Sequence, residues 1–156
     1  MHDISLDRFD FAILAALQKN SALTNAELGD RVNLSSSQCS RRKARLESEG
    51  IIKGYAAKLN AELLGFGLRA ITRVNLKAHS ESMDESFVAL LSKHDVVREA
   101  YSVSGDADYI LHITTKGLTE FSDFIHHNLL PHPNVTQVRS EIILRSMKEE
   151  RGLPIG

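Results

Sequence analysis

Residues 34–55 read LSSSQCSRRKARLESEGIIKGY, and their pattern decides the first half of the fold. Three hydroxyl side chains, Ser35, Ser36 and Ser37, open a helix in which four of the five residues from Arg41 to Arg45 are cationic. At about 100° per residue, Ser37, Gln38, Arg41, Arg45 and Ser48 share one side, while Cys39, Lys43 and Leu46 lie on or near the other. Gly50 ends this helix as a left-handed cap that a residue with a Cβ would resist, and Ile51, Ile52 and Tyr55 read as a short extended wing or strand. A basic helix standing alone is usually a solvated face. These outer residue types, however, are also those that recognise DNA. Arginine forks onto guanine, glutamine onto adenine, and either arginine or lysine anchors phosphate.

The upstream segment supplies the context such a helix needs. Phe9, Ile13 and Leu17 recur at i, i+4, i+8, with Leu6, Leu14 and Ala16 broadening the stripe, so residues 6–19 form an amphipathic helix with one buried face. Thr24 and Glu27 make a capping box for a shorter helix whose inner side carries Leu28 and Val32. The turn VNLS then leads into the basic helix. Three helices in this order predict a winged helix-turn-helix whose third helix enters a major groove of double-stranded DNA. Ser36, Ser37, Gln38, Ser40, Arg41 and Arg45 are the candidates for base or phosphate contact. Arg42, with Lys43, lies off the central stripe and is expected at the phosphate backbone.

From Gly65 onward the periodicity changes. Leu68, Ala70, Thr72, Val74 and Leu76 alternate with polar residues as in a strand with one buried face. Ser82 and Glu85 read as a second capping box, opening a helix marked by Phe87, Val88, Leu90 and Leu91. Val96 to Val103 and Tyr109 to Thr115 form two strands joined by a hairpin turn, SGDAD. Leu118, Phe121, Ile125 and Leu129 mark another helix, ended by Pro131 and Pro133, and residues 135–144 a last strand. The order βαββαβ is the ferredoxin-like arrangement, giving an α+β chain with a DNA-binding domain and linker strand at 1–60 and a ferredoxin-like domain at 61–156. Two helices cover one face of a four-stranded sheet, so the other face needs a partner, most simply in a homodimer.

Composition excludes several classes. The 156 residues are 42% hydrophobic, enough for two small cores or one ordinary one. Residues 1–60 hold nine Lys/Arg against seven Asp/Glu and the remainder ten against thirteen, so the modest positive balance falls on the DNA-binding half. Cys39 is the only cysteine, which excludes an internal disulfide and a thiolate cluster and fits a reducing cytoplasm. No segment has the apolar continuity of a membrane span or export signal, so a cytoplasmic location is expected. Asp106 with Asp108, and His126, His127 and His132, are the only candidates for catalysis or metal. Adjacent histidines diverge on a helix, His132 lies beyond it between prolines, and the aspartates lack a nucleophile or phosphate loop. No enzyme, metal or cofactor is expected.

The hairpin turn is the second functional candidate. A glycine lets backbone N–H groups approach a ligand carboxylate and two aspartates can hold an ammonium group, so the loop has parts complementary to an α-amino acid; glycine and aspartate also suit any hairpin turn. The chain resembles the Lrp/AsnC (feast/famine) family of transcription regulators over nearly its whole length: the LDxxDxxIL start, the LQ pair, the SxxCxxR run, the GxIxGY ending and GDADY carry the likeness. The family commonly has proline where this chain has Ser37 or Gln38. The resemblance implies a regulator of amino-acid metabolism or transport, built from dimers that assemble into tetramers and octamers, with an amino-acid effector near the GDxDY-type motif where dimers meet. Ser104, Gly105, Asp106, Asp108 and Tyr109 carry over to that site. Ser140 falls where many relatives have a pocket threonine, and Val138 points to the same side two residues earlier. Leucine, another amino acid or no effector remain open. The alternative is an architectural DNA-wrapping protein that ignores small molecules.

Overall fold

The first three helices, α1 (Arg8–Lys19), α2 (Asn25–Val32) and α3 (Ser36–Ser48), each begin on a reciprocal capping box. The pairs are Asp7 with Asp10, Thr24 with Glu27, and Ser35 with Gln38, each satisfying amides that the first helical turn leaves without partners. A computed structural model describes residues 5–77, 81–149 and 152–155 of the chain. It divides into two units, one of residues 1–58 with 149–156, the other of residues 59–148. Leu153 packs with the first unit: the Gln18 amide donates to the Leu153 carbonyl at 3.1 Å and accepts from its N–H at 2.7 Å.

In the first unit the expected stripe of α1 buries Ile13 and Leu17 against Leu23, Leu28, Val32, Cys39 and Leu46. Burial pushes the Cys39 thiol above its ordinary range, as suits a small core hydrophobe. The turn between α2 and α3 uses Asn33 at φ 56°, a left-handed position that asparagine tolerates, and Gly50 at φ 73° terminates α3 as expected. The wing strand is absent. Residues 51–58 form no strand, and the amides of Ile51 and Ile52 both turn back to the Leu46 carbonyl at 3.0 Å, spending their donors on the end of α3.

The second unit runs β1 (Leu68–Leu76), α4 (Glu81–Ser92), β2 (Val97–Ser102), β3 (Tyr109–Thr115), α5 (Leu118–Phe124) continued by a π-helical turn (Ile125–Leu129), and β4 (Val135–Ile142). Its antiparallel sheet has the order β2-β3-β1-β4, the ferredoxin-like topology. Ala70, Val74, Leu76, Leu111 and Ile113 face Phe87 and Leu91 of α4 and Phe121, Phe124, Ile125 and Leu129 beyond it. The opposite face presents Arg73, His112, Tyr101 and Glu141, none of them buried. Helix α4 begins at Glu81, so Ser82 stands in its first turn and not at its cap, and the Ser82–Glu85 box does not start it. The single helix expected over 118–129 changes to π geometry at Ile125, which keeps Ile125 and Leu129 in the core.

Candidate functional site

Two surfaces carry the candidates, one in each unit. On α3, Cys39 and Leu46 are buried, Arg42 and Lys43 are half-buried, and Ser36, Ser37, Gln38, Ser40, Arg41 and Arg45 are exposed. The helical periodicity therefore orients α3 as expected, but side-chain bonding redraws its outer stripe. Gln38 bends back so that its carbonyl oxygen accepts from the Ser35 N–H at 3.0 Å and from the Ser35 hydroxyl at 3.1 Å. The Ser37 hydroxyl lies 3.1 Å from that of Ser35.

Arg45 leans off the stripe. Its Nη2 donates to Oδ2 of Asp10 at 2.6 Å, while Nη1 of Arg42 donates to both Oδ1 of Asp10 and Oδ2 of Asp7 at 2.8 Å. Asp10 is only 1% exposed, and Oδ2 also accepts from the Asp7 N–H at 3.0 Å. Asp7 in turn caps α1 by accepting from the amides of Phe9 and Asp10. The Asp10 amide, with Arg42, holds the Asp7 carboxyl below its ordinary value against a desolvation cost; Asp10 and Asp7 raise the Arg42 guanidinium. Sequence periodicity missed this cluster. Both aspartates belong to the LDRFD start, where acidic residues in a first turn also suit the helix dipole.

Lys43 is similarly occupied, its ammonium 4.9 Å from the centre of the Tyr55 ring. The Tyr55 hydroxyl donates to Glu47 at 2.8 Å, and burial, together with Glu47, pushes its pKa up to about 12. Among the described residues, no hydrogen bond or ion pair engages the side chains of Ser36, Ser40 or Arg41. These three face outward, uncommitted.

In the second unit the SGDAD loop folds over the end of β1. The Asn75 side chain donates to the Asp106 carbonyl at 2.7 Å, the Asp108 amide donates to the Val74 carbonyl at 3.1 Å, and Oδ2 of Asp108 accepts from the Leu76 N–H at 2.7 Å. Asp108 is therefore committed to the sheet. Tyr109 points inward, its ring 5.0 Å from that of Phe87 and its hydroxyl donating to Asp84 at 3.0 Å; burial and then Asp84 raise its pKa. Ser104, Gly105 (φ 144°) and Asp106 remain exposed at the tip, and the Asp106 carboxylate makes no hydrogen bond or ion pair among the described residues.

Val138 and Ser140 share a sheet face, Val138 paired with Val74 in the row that reaches Tyr109, and Ser140 one row deeper. Val138 is thus two strand spacings, about 10 Å, from Tyr109. The Ser140 hydroxyl lies 2.9 Å from that of buried Thr72. The seven candidates consequently do not enclose a cavity in one chain. A hollow of about 510 Å³ in this unit contains Tyr109 but lies between α4 and β2, lined by Val88, Leu91, Val97, Ala100 and Ser102 among others. His126 and His127 are exposed, and His132 packs edge-on against Phe87 at 5.7 Å. They do not converge.

Comparison with known proteins bears on both surfaces. A family model described as winged helix-turn-helix DNA-binding matches residues 6–53, and one described as Lrp/AsnC ligand binding domain matches residues 69–153. The chain is 39% identical over 146 residues to the leucine-responsive regulatory protein of Rhizobium meliloti, with 94% of each chain covered. Its identity to the leucine-responsive regulatory protein of Escherichia coli K12 is 33% over 150 residues, covering 96% of this chain and 92% of the relative. A Neisseria meningitidis transcriptional regulator solved as a complex with L-Met has a TM-score of 0.92 at 37% identity, covering 96% of this chain and 97% of the other. An AsnC family regulator from Agrobacterium tumefaciens gives 0.89 at 28% identity, with the same two coverages.

Proposed function

The chain belongs to the Lrp/AsnC family, as a DNA-binding transcriptional regulator and not an enzyme, and from that premise we propose that it couples an amino-acid signal to the reading of paired DNA half-sites. Helix α3 meets the major groove, with Arg41, Ser36 and Ser40 as its direct contacts, and the regulated genes serve amino-acid metabolism or transport. The effector binds at the sheet domain between protomers of a dimer or larger assembly. The observation that carries this reading is the exposed loop tip: Asp106 offers an anionic acceptor without a side-chain partner among the described residues, beside the backbone of Gly105. Such a pair suits the ammonium and carboxylate of a free amino acid. The similar Neisseria regulator's complex with L-Met gives methionine as the first ligand to try. The second face of the sheet, where Ile71, Ile110 and Tyr101 lie unburied among Arg73, His112 and Glu141, supports pairing of two protomers through it.

Thermal melting of the full chain across the twenty amino acids tests the effector. A ligand at about 100 times its dissociation constant stabilises the native state by about 2.7 kcal/mol. A shift with one or a few amino acids, abolished in Asp106→Ala, is expected. No shift with any of them would sink the amino-acid reading, and salt-sensitive, weakly sequence-selective binding to long DNA would then favour an architectural DNA-wrapping role.

A further inference from the structure

We infer that Asp7 and Asp10 act as an internal substitute for DNA phosphate, holding Arg42 and Arg45 so that these two cations do not add to sequence-independent binding. The inference rests on α3 being the helix that meets DNA. Four cations lie on that helix, and the structure treats them differently. Arg42 is bound by two carboxylates at 2.8 Å and stacks 5.5 Å from the Phe9 ring centre; Arg45 is bound by one carboxylate at 2.6 Å. Lys43 lies over Tyr55. Only Arg41 has no side-chain bond among the described residues.

A carboxylate presents a guanidinium with the same pair of anionic oxygens as a phosphate does. Asp10 is a strong competitor because it is buried: departure of both arginines for DNA would strand its charge out of reach of water, and departure of either leaves it half-compensated. Yet Arg45 and Arg42 keep 42% and 24% of their side chains exposed, so both guanidinium groups stand at the surface that DNA approaches. Neutralising phosphates sets the non-specific background, whereas base contacts set discrimination. Withholding two cations lowers affinity for DNA of every sequence and leaves the readers Arg41, Ser36 and Ser40 untouched, so base contacts supply a larger share of the affinity that remains. Asp7 and Asp10 are thus positioning residues that hold down sequence-independent binding.

The test compares wild-type chain with Asp10→Asn and Asp7→Asn on two duplexes, one of random sequence and one selected from a random library by the wild-type protein. Asparagine is also a good N-cap, so Asp7→Asn keeps the start of α1 while removing one of the two carboxylates on Arg42, and should Asp10→Asn fail to fold it carries the test with a slope steepened by up to one cation. Each arginine released to phosphate steepens the slope of log K against log salt by about 0.9, so between about 50 and 200 mM salt each variant should lose about 3.5-fold more affinity per released cation than wild type. At the low end of that range the variants should bind both duplexes more tightly than wild type. Wild-type slopes with uniformly weaker binding would overturn the inference, since that is what a purely structural ion pair gives. Arg41→Ala separates the two levels: it must weaken binding, and if it does not, α3 is not the reading helix and the inference falls with it.

Discussion

Replacing Gly29 by alanine sets two effects of opposite sign against each other. Gly29 is buried within α2, directly under the turn to α3, where its carbonyl accepts from the Leu34 N–H at 3.0 Å. In a helix interior, alanine is favoured over glycine by about 1 kcal/mol, so propensity alone predicts a more stable protein. A Cβ at Gly29, however, would collide with the Leu34 carbonyl oxygen and sit 3.5 Å from the carbonyl carbons of Leu34 and Ser35. These are backbone atoms of a turn fixed by left-handed Asn33 and by the Ser35 cap, and they cannot swing aside as a long side chain would. Overpacking of this kind costs about 1–3 kcal/mol. Because the obstacle is backbone, the upper half of that range applies, leaving a net loss of about 1–2 kcal/mol, or a factor of about 5–30 in the opening equilibrium. Hydrogen exchange of the full chain reads this locally: amides of α2 and α3 should exchange faster by that factor, while those of β1 and β3 stay unchanged and serve as the internal control. Equal or slower exchange in Gly29→Ala would refute the argument, because it would mean that the turn yields and propensity wins.

The two arginines nearest each other on the outer stripe should separate cleanly. Arg41→Ala should leave stability within about 0.5 kcal/mol but cost about 1–3 kcal/mol of affinity for a selected operator if it reads guanine; Arg45→Ala should destabilise the first unit by about 1–2 kcal/mol, less than for a fully buried pair because Arg42 remains on Asp10. Equal melting temperatures for Arg45→Ala and wild type would count against the ion pair. Asp7 predicts an acid limit: folding lowers its carboxyl below 3.8, so the stability it contributes is complete above that pH and is lost as pH falls through the folded value. Urea melts should show wild type's advantage over Asp7→Asn shrinking below about pH 4; an advantage that grows toward acid would contradict it. Tyr55, at about 12, should supply the highest-pH step of phenolate absorbance, and Tyr55→Phe should remove it. Stability from the bond to Glu47 should be present at neutral pH and lost as pH rises through that step.

The elements that sequence located well are those whose burial repeats with a fixed period. β1 alternates residue by residue and its buried side is Ala70, Thr72, Val74 and Leu76, as the pattern requires; β3 spans Tyr109–Thr115 as expected. The stripe of α1, the Thr24–Glu27 box and the Gly50 cap are equally local signals. What escaped is not periodic. A helical wheel fixes where the Cβ of Arg45 points, but the guanidinium sits at the end of a long, flexible side chain and goes to the buried carboxylate 35 residues away. Ile51 and Ile52 look like a strand because they are β-branched, yet their amides are claimed by Leu46 before any sheet could use them. The π turn at Ile125–Leu129 keeps apolar residues inward and so leaves the stripe looking helical. The C-terminal residues carry no period at all, and only the pairing of Gln18 with Leu153 reveals their unit.

The two aspartates of the SGDAD loop looked interchangeable in the sequence, and their separation gives the sharpest control on the effector proposal. Asp108 accepts the Leu76 amide where the β1–β4 pairing shifts register between Asn75 and Leu76. Asp108→Ala would leave that amide without its carboxylate acceptor at a cost of about 1–3 kcal/mol, and any ligand response lost with it could be a consequence of a loosened sheet. Asp106 has no such duty. Its carboxylate is exposed and its carbonyl, not its side chain, receives the Asn75 bond, so Asp106→Ala should fold within about 0.5 kcal/mol of wild type. The two variants therefore predict different pairs of results. Asp108→Ala should melt earlier with or without amino acid, whereas Asp106→Ala should match the unliganded wild type and lose only the ligand-induced shift. Because a ligand moves assembly only through its different affinity for the alternative states, Asp106→Ala should also abolish any amino-acid-dependent change in sizing profile while keeping the unliganded profile. A full melting shift retained by Asp106→Ala would place the effector away from this loop, and the hollow between α4 and β2 would become the site to test.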